Sequence, residues 1–325
     1  MAAPSLARSP GPDSSDSNCR VCGELDGPLF RNTCGCRTLV HFECLEHERR
    51  QGDVARIVCS RCNKTFKNTR PVLRIAELAA QFATEPDPLE TLKELAAFAL
   101  VHPLKILKAP NLVAECVRRI SDPETNEALV VKMFEMLAVT QGVFFRQHTD
   151  TRTLFLVPGL CDAALSRIDE RVPPKVRAAA LHLLCNLSAN EKTALEMAAN
   201  EHLVRTAAFI AQHVHDDPDA YEFSLLANLC YESRLAATFS ANAAFMSSVL
   251  AREDVETAYR ALRLIHSMTF SSSEARHNLR TDAVRAFATK RLTSEHKHVV
   301  DAANAVLLIL DAPWVRLVDS AWSWF

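Results

Sequence analysis

Eight cysteine and histidine side chains near the start of the sequence have the types and the spacing of zinc ligands. They fall into four pairs whose members are separated by one or two residues, so each pair can bind one ion from a tight turn. Four pairs supply two tetrahedral sites closed by protein, which leaves no coordination position for a reactive water. Zinc held in this way would stabilise the fold and would not catalyse hydrolysis. The eight residues are Cys19, Cys22, Cys34, Cys36, His41, Cys44, Cys59 and Cys62.

Zinc explains these residues better than disulfide bonds do, because a histidine occupies one of the eight positions. Seven of the 11 cysteines lie before residue 63 of the 325-residue chain, which favours metal binding in a reducing compartment. The segment has few apolar residues, so two Zn²⁺ ions are expected to supply much of its folding free energy. The spacing alone leaves open whether the first four and last four ligands bind separate ions or whether the pairs interleave.

The order of the ligands, with the histidine in fifth place, resembles that of a RING-CH (RING-variant, C4HC3) zinc finger. The matching segments read CRVC at 19–22, CGC at 34–36, HFEC at 41–44 and CSRC at 59–62. The resemblance implies an interleaved arrangement in which the first and third pairs bind one ion and the second and fourth pairs bind the other. It covers about 50 of the 325 residues.

Members of the RING-CH family are typically E3 ubiquitin ligases, which bind a ubiquitin-loaded E2 and promote transfer of ubiquitin to a substrate lysine. The resemblance implies E2 docking through Val21 and Leu45, and it implies no catalytic side chain. The sequence departs from the family at Glu48, where a tryptophan is usual, and at Ser60, where RING domains often have a proline. The alternative function is therefore an adaptor in which zinc stabilises a protein-binding surface without catalysis.

The chain divides by composition into four segments. Residues 1–18 are rich in proline, serine and aspartate and are expected to be disordered. The zinc module follows at 19–67, and a short helix with a proline-bearing linker at 68–88. Residues 89–325 show helical periodicity interrupted by short polar turns, and they are expected to form one repeat domain.

Six apolar helical blocks in this last segment recur at a regular interval. Aligning them on one position gives spacings of 39, 48, 42, 39 and 42 residues, the range of armadillo and HEAT repeats. The copy at 176–210 resembles an armadillo repeat in its order of long helix, polar turn and two shorter helices. The predicted fold is thus mainly α, a small two-zinc cross-brace module followed by an armadillo/HEAT-like α-solenoid, with a generic helical bundle as the alternative. The aligned residues are Ala99, Ala138, Asn186, Asn228, Ser267 and Ile309.

A solenoid of such repeats leaves one concave wall of parallel helices for partners, and a protein substrate is expected there. In peptide-binding armadillo proteins an asparagine on that wall bonds to the backbone of an extended ligand, and the resemblance assigns this role to Asn186 and Asn228. The alternative is that both amides cap helix-end carbonyls within the protein. The tryptophan of nuclear-import receptors is replaced by His182 and Ser224, which argues against recognition of nuclear-localisation signals.

Composition argues against several other functions. A net charge of −2 provides no basic field for nucleic acid. No apolar run approaches the roughly 20 residues that a membrane span requires. Gly-rich phosphate loops, nucleophile elbows and H-E-x-x-H segments are absent from the sequence. The protein is expected to be cytoplasmic, with a nuclear location left open.

Two further features of the sequence lead to minor predictions. Four cysteines of the helical segment stand singly in apolar patterns and are expected to be buried free thiols. The segment 313–325 contains all three tryptophans, and it is expected either to cap the last repeat or to serve as a docking site. The four cysteines are Cys116, Cys161, Cys185 and Cys230.

Overall fold

The chain divides into two units. The first comprises Met1–Glu85 and Lys108–Leu112, and the second comprises Pro86–Leu107 and Val113–Phe325. The computed structural model describes residues 29–31, 39–41, 69–147, 154–213 and 220–311, with side chains in 74–142, 154–213 and 220–311.

The described part of Met1–Glu85 contains a short antiparallel strand pair and one helix. Strand β1 (Leu29–Arg31) pairs with β2 (Leu39–His41), so that Leu29 lies opposite His41. Helix α1 (Thr69–Thr84) lies within the segment 68–88, where the sequence predicts a short helix and a linker.

Helix α1 buries one apolar face and ends where the prolines begin. Ile75, Leu78 and Phe82 recur at the spacing of one helix face and are each at most 1% exposed. Pro86 and Pro88 then prevent the helix from continuing, as the sequence predicted.

The remaining described helices follow one another with short connections. They are α2 (Leu89–Val101), α3 (Pro103–Leu107), α4 (Leu112–Ser121), α5 (Glu127–Gln147), α6 (Leu160–Leu165), α7 (Pro174–Leu187), α8 (Glu191–Ala198), α9 (Glu201–His213), α10 (Tyr221–Leu229), α11 (Ser233–Ala241), α12 (Ala243–Leu250), α13 (Val255–Ser271), α14 (Ser273–Asn278), α15 (Asp282–Arg291) and α16 (Lys297–Asp311).

Short polar side chains start many of these helices. Asn190 begins α8 by accepting hydrogen bonds from the N–H groups of Lys192 and Thr193, and Asp254 begins α13 by accepting one from Thr257. Such N-caps satisfy backbone donors that have no partner within the helix. Asn242, Ser272 and Thr281 do the same for α12, α14 and α15.

Six helices pack against one another in chain order and form the apolar centre of the second unit. We call α2, α5, α7, α10, α13 and α16 the spine helices, because each packs on the next. Each spine helix contains one of the six aligned residues, from Ala99 in α2 to Ile309 in α16. The predicted equivalence of the six blocks is therefore confirmed.

The helices beside the spine complete the repeat. From residue 191 onward each repeat has three helices, and the third is a spine helix: α8–α10, α11–α13 and α14–α16. The middle helices α9, α12 and α15 pack in order as a second series. Pro174 is the first residue of α7, a position where the missing proline N–H costs nothing.

Candidate partner-binding surface

The zinc module lies outside the side chains that the structure describes. Of the predicted ligands, only the backbone of His41 is placed, as the last residue of β2. The E2-docking residues Val21 and Leu45 and the tryptophan-containing segment 313–325 also lie outside the described residues, as do residues 1–18. Among the described residues, no group of three or more His, Cys, Asp or Glu could hold a metal ion.

Three of the aligned residues join neighbouring spine helices. Asn186 on α7 donates from Nδ2 to the carbonyl oxygen of Ala138 on α5, at 2.9 Å. Asn228 on α10 donates in the same way to the carbonyl oxygen of Cys185 on α7, at 3.1 Å. Ser267 on α13 donates from Oγ to a backbone carbonyl of α10, at 2.7 Å. One polar row thus connects four consecutive spine helices through side chain to backbone bonds.

The amide nitrogens of this row have further partners within the protein. Nδ2 of Asn228 also lies 3.0 Å from Ser188 Oγ, and Nδ2 of Asn186 lies 3.2 Å from His182 Nε2. A Cβ atom at Gly142 of α5 would approach Asn186 Nδ2 to 3.4 Å, so a residue without a side chain suits this position. The role of both asparagines in binding a peptide stays a prediction, and the amide oxygens are the atoms that would accept a ligand N–H.

A second row of contacts runs beside the first and contains aromatic rings. The rings of His182 on α7 and Tyr221 on α10 stack with centroids 4.4 Å apart and an interplanar angle of 13°. The guanidinium of Arg260 on α13 lies over the Tyr221 ring, 4.7 Å from its centroid. Tyr221 is thus in contact with side chains of both neighbouring spine helices, and these geometries stabilise aromatic and cation–π pairs.

Residues four and seven positions before an aligned residue meet at two successive junctions between spine helices. His182 lies four residues before Asn186, and Tyr221 lies seven before Asn228; these two rings touch. Ser224 lies four residues before Asn228, and its Oγ accepts a hydrogen bond of 2.8 Å from Nη1 of Arg260, seven before Ser267. The register between spine helices is therefore the same at the α7–α10 and α10–α13 junctions.

Arg260 is held by a third contact, and Arg263 lies close by. Nε of Arg260 donates to Oε1 of Glu256 at 2.9 Å. Burial raises the pKa of the Cys185 thiol, while the positive charges of Arg260 and Arg263 act in the opposite direction. Burial likewise raises the pKa of Tyr231, and Arg263 opposes the shift. Both guanidiniums are therefore within electrostatic range of groups on neighbouring repeats.

Aromatic contacts continue toward α16. Tyr259 on α13 meets His298 on α16 edge to face, with centroids 4.8 Å apart. Arg263 lies 6.0 Å from the centroid of the Tyr259 ring. Rings and guanidiniums thus extend over four spine helices, half-buried on α7, α10 and α13 and exposed at His298 on α16.

The four cysteines of the helical segment are free thiols, and their environments disfavour reactivity. Cys116 and Cys230 are fully buried, and Cys161 and Cys185 are half-buried. Burial raises the pKa of all four thiols, to about 11 for Cys161. Because the thiolate is the nucleophile, these residues are poor candidates for catalysis.

Sequence reasoning missed Tyr221, Arg260 and Arg263 as members of this surface. A signal was present, because residues four and seven positions before an aligned residue lie on nearly the same helix face. Applying that rule to Asn228 and Ser267 would have selected Tyr221, Ser224, Arg260 and Arg263.

The sequence matches no protein-family model and no curated protein. Among solved structures, it is similar to a designed armadillo repeat protein with a TM-score of 0.60 and 14% identity, covering 73% of this chain and 100% of that one. A second designed armadillo repeat protein, in complex with the peptide (KR)4, gives a TM-score of 0.59 at 13% identity, over 73% and 99% of the two chains.

A third similar chain comes from work on a phosphorylation switch that controls the interaction between cadherin and β-catenin. Its TM-score is 0.58 at 15% identity, over 83% of this chain and 59% of that one. At these identities the likeness concerns the fold, so the predicted armadillo-like repeat fold is confirmed. Within the described part of the chain, no helix is long and apolar enough to cross a membrane.

Proposed function

We propose that the repeat domain is a protein-binding scaffold and that the whole chain is a RING-type E3 ubiquitin ligase. The observation that carries the scaffold function is the continuous row of half-buried polar and aromatic side chains over consecutive spine helices. Repeat proteins use such surfaces for extended ligands, because equivalent positions recur at each repeat. One structurally similar designed protein binds the peptide (KR)4, which supports a peptide ligand here.

The ligase part of the proposal is supported by the donor set of the zinc module. Seven thiols and one imidazole at these spacings suit two tetrahedral Zn²⁺ sites, which the eight named residues would hold. The pairing of β1 with β2 adds support, because Arg31 and Leu39, which flank Cys34 and Cys36 in the sequence, lie opposite each other, and His41 is the last residue of β2. Zinc would supply folding free energy to the module.

In this proposal no side chain of the chain attacks the substrate. Val21 and Leu45 would form the E2 contact, and the repeats would hold the substrate so that its lysine reaches the ubiquitin thioester. Such a ligase accelerates transfer by proximity and orientation. Glu48 and Ser60 depart from the usual E2-binding pattern, and this observation favours the second candidate, a non-catalytic adaptor that binds proteins through its repeats.

An autoubiquitination assay of the full chain with a panel of E2 enzymes tests the ligase function. We expect ubiquitin transfer with at least one E2, loss of transfer in Val21→Ala, and retention of bound zinc in that variant. Val255→Ala, the same change at a 40% exposed position of α13, is the matched control and should transfer normally. Absence of transfer with every E2 would favour the adaptor, and restored activity in Glu48→Trp would then locate the defect at the E2 contact.

Selection of peptides from a random display library against the full chain tests the scaffold function. We expect enrichment of extended sequences whose binding is lost when Tyr221 is replaced by alanine. Failure to enrich any sequence, or binders insensitive to this change, would argue against ligand binding on the spine helices.

A further inference from the structure

We infer that the surface formed by α7, α10 and α13 binds an extended acidic segment of a partner protein, with Arg260 and Arg263 as the charged contacts. We call the side chains of His182, Tyr221, Arg260 and Arg263 the cationic face. The inference rests on the proposed scaffold function and specifies the chemistry of its ligand.

The balance of charge on these helices is positive. Together α7, α10 and α13 carry four lysines and arginines against two glutamates. Glu222 and Arg177 are 2% and 3% exposed and cannot meet a ligand. Three positive charges then remain against Glu256, which is already paired with Arg260. An approaching carboxylate therefore meets an excess of positive charge, which favours its association.

Arg260 is prepared for such a contact because the protein already restricts its side chain. Glu256 and Ser224 accept hydrogen bonds from Nε and Nη1, and the Tyr221 ring lies beneath the guanidinium. The guanidinium has five N–H donors, and these bonds use two of them. A side chain held in this way loses less conformational entropy when it binds, and a planar guanidinium matches the geometry of a carboxylate.

The aromatic part of the face fits an extended ligand. Tyr221 and His182 are half-buried, so each residue keeps part of its surface accessible to a ligand. Neighbouring packed helices lie about 8–10 Å apart, so α7 to α13 spans about 16–20 Å. An extended chain advances about 3.3 Å per residue, so a segment of about six residues would reach across the face.

The same charges disfavour a basic ligand. The designed armadillo protein that binds (KR)4 has this fold, but here two guanidiniums occupy the positions four and seven residues before Ser267. Like charges at close range repel, so a lysine-rich peptide would bind more weakly than a neutral one.

Fluorescence anisotropy with three labelled octapeptides and the full chain tests the inference. Threonine alternates with glutamate, glutamine or lysine in the three probes, because β-branched residues favour extended backbone. We expect the glutamate peptide to bind most tightly, and its affinity to fall as salt is raised. Replacing both arginines, Arg260→Gln with Arg263→Gln, should weaken its binding about tenfold or more, since each removes a charge-assisted contact.

Matched controls distinguish the loss of the arginine contacts from a change in net charge and from a loss of folding stability. Arg205→Gln with Arg234→Gln removes the same charge from exposed positions on α9 and α11 and should leave binding unchanged. Arg263→Gln alone leaves the contacts of Arg260 in place, and it should still weaken binding if the double variant melts at a lower temperature.

The inference would be overturned by a glutamate peptide that binds no better than the glutamine peptide, or by equal losses in the two double variants. If the glutamine or lysine peptide bound more tightly than the glutamate peptide, the acidic ligand would be excluded. The scaffold function would still be supported. Failure of all three probes would also overturn the inference, and the display selection would then decide separately on the scaffold function.

Discussion

At Asn228 a single side chain satisfies two acceptors of the preceding repeat, the Cys185 carbonyl and the Ser188 hydroxyl. We expect Asn228→Ala to lower the free energy of unfolding by about 1–3 kcal/mol, because both acceptors lose a donor and Ser188 is fully buried. Urea unfolding measures this change. Asn304→Ala, at an exposed position of α16, is the control and should change stability little. Unchanged stability together with weaker peptide binding would instead assign Asn228 to the ligand.

His266 on α13 is expected to make stability depend on pH. Burial, assisted by the charge of Arg263, lowers its pKa from 6.5 to about 4. The unfolded chain therefore binds the proton more readily between these values, and stability falls as the pH is lowered from 6.5 toward 4. The slope from one such group is at most about 1.4 kcal/mol per pH unit.

Comparison with His266→Gln isolates this contribution, because glutamine does not titrate. We expect the wild-type protein to lose more stability than the variant between pH 7 and pH 5, measured by urea unfolding. A stability difference between the two proteins that stays constant over this range would contradict the prediction.

Among the elements, the junction of α11 and α12 depends on one side chain. Asn242 lies between the last residue of α11 and the first residue of α12, and it accepts a hydrogen bond from the N–H of Phe245 in the first turn of α12. Replacing an N-cap by alanine typically costs about 1 kcal/mol, and we expect Asn242→Ala to lower the free energy of unfolding by this amount. Asn242→Asp keeps the acceptor and should retain most of the stability. Equal losses in both variants, measured by urea unfolding, would show that the cap contributes little.

Arginines donate hydrogen bonds to carbonyl groups at helix ends in the second helix series. The carbonyl of Ala211, near the end of α9, accepts hydrogen bonds from Ser248 Oγ and from Arg252 Nη2. The carbonyl of Arg252 in turn accepts one from Arg291 Nη2 at the end of α15. Each helix end is thus completed by a side chain from the following repeat, which explains why α9, α12 and α15 pack in order.

For the whole molecule, we expect two zinc ions per chain and folding of the zinc module that is independent of the repeats. Cys59→Ser should lower the zinc content, measured by mass spectrometry, and expose residues 19–67 to proteolysis. The thermal transition of the helices, followed by far-UV circular dichroism, should not change, because separate cores unfold separately. Cys161→Ser, a half-buried thiol of α6, is the control and should retain both ions. One ion or none in the wild-type protein would contradict the two-site prediction.

The sequence by itself determined which helices form the spine of this protein. Apolar periodicity identified the six blocks, and their nearly constant spacing indicated that each one packs on the next. This worked because repeat proteins are built from contacts between neighbouring repeats, so local pattern and period carry most of the information. The spacing of the cysteine and histidine ligands is a local signal of the same kind, and the prediction of two zinc ions follows from it.

Only the tertiary structure decided what the aligned positions do. The sequence could not tell whether the Asn186 amide faces a ligand or a carbonyl, because Ala138 lies 48 residues away. Nor could it pair His182 with Tyr221, or Arg260 with Ser224. These contacts depend on the offset between adjacent helices, which is set by side-chain packing across the interface and leaves no mark on the periodicity of either helix.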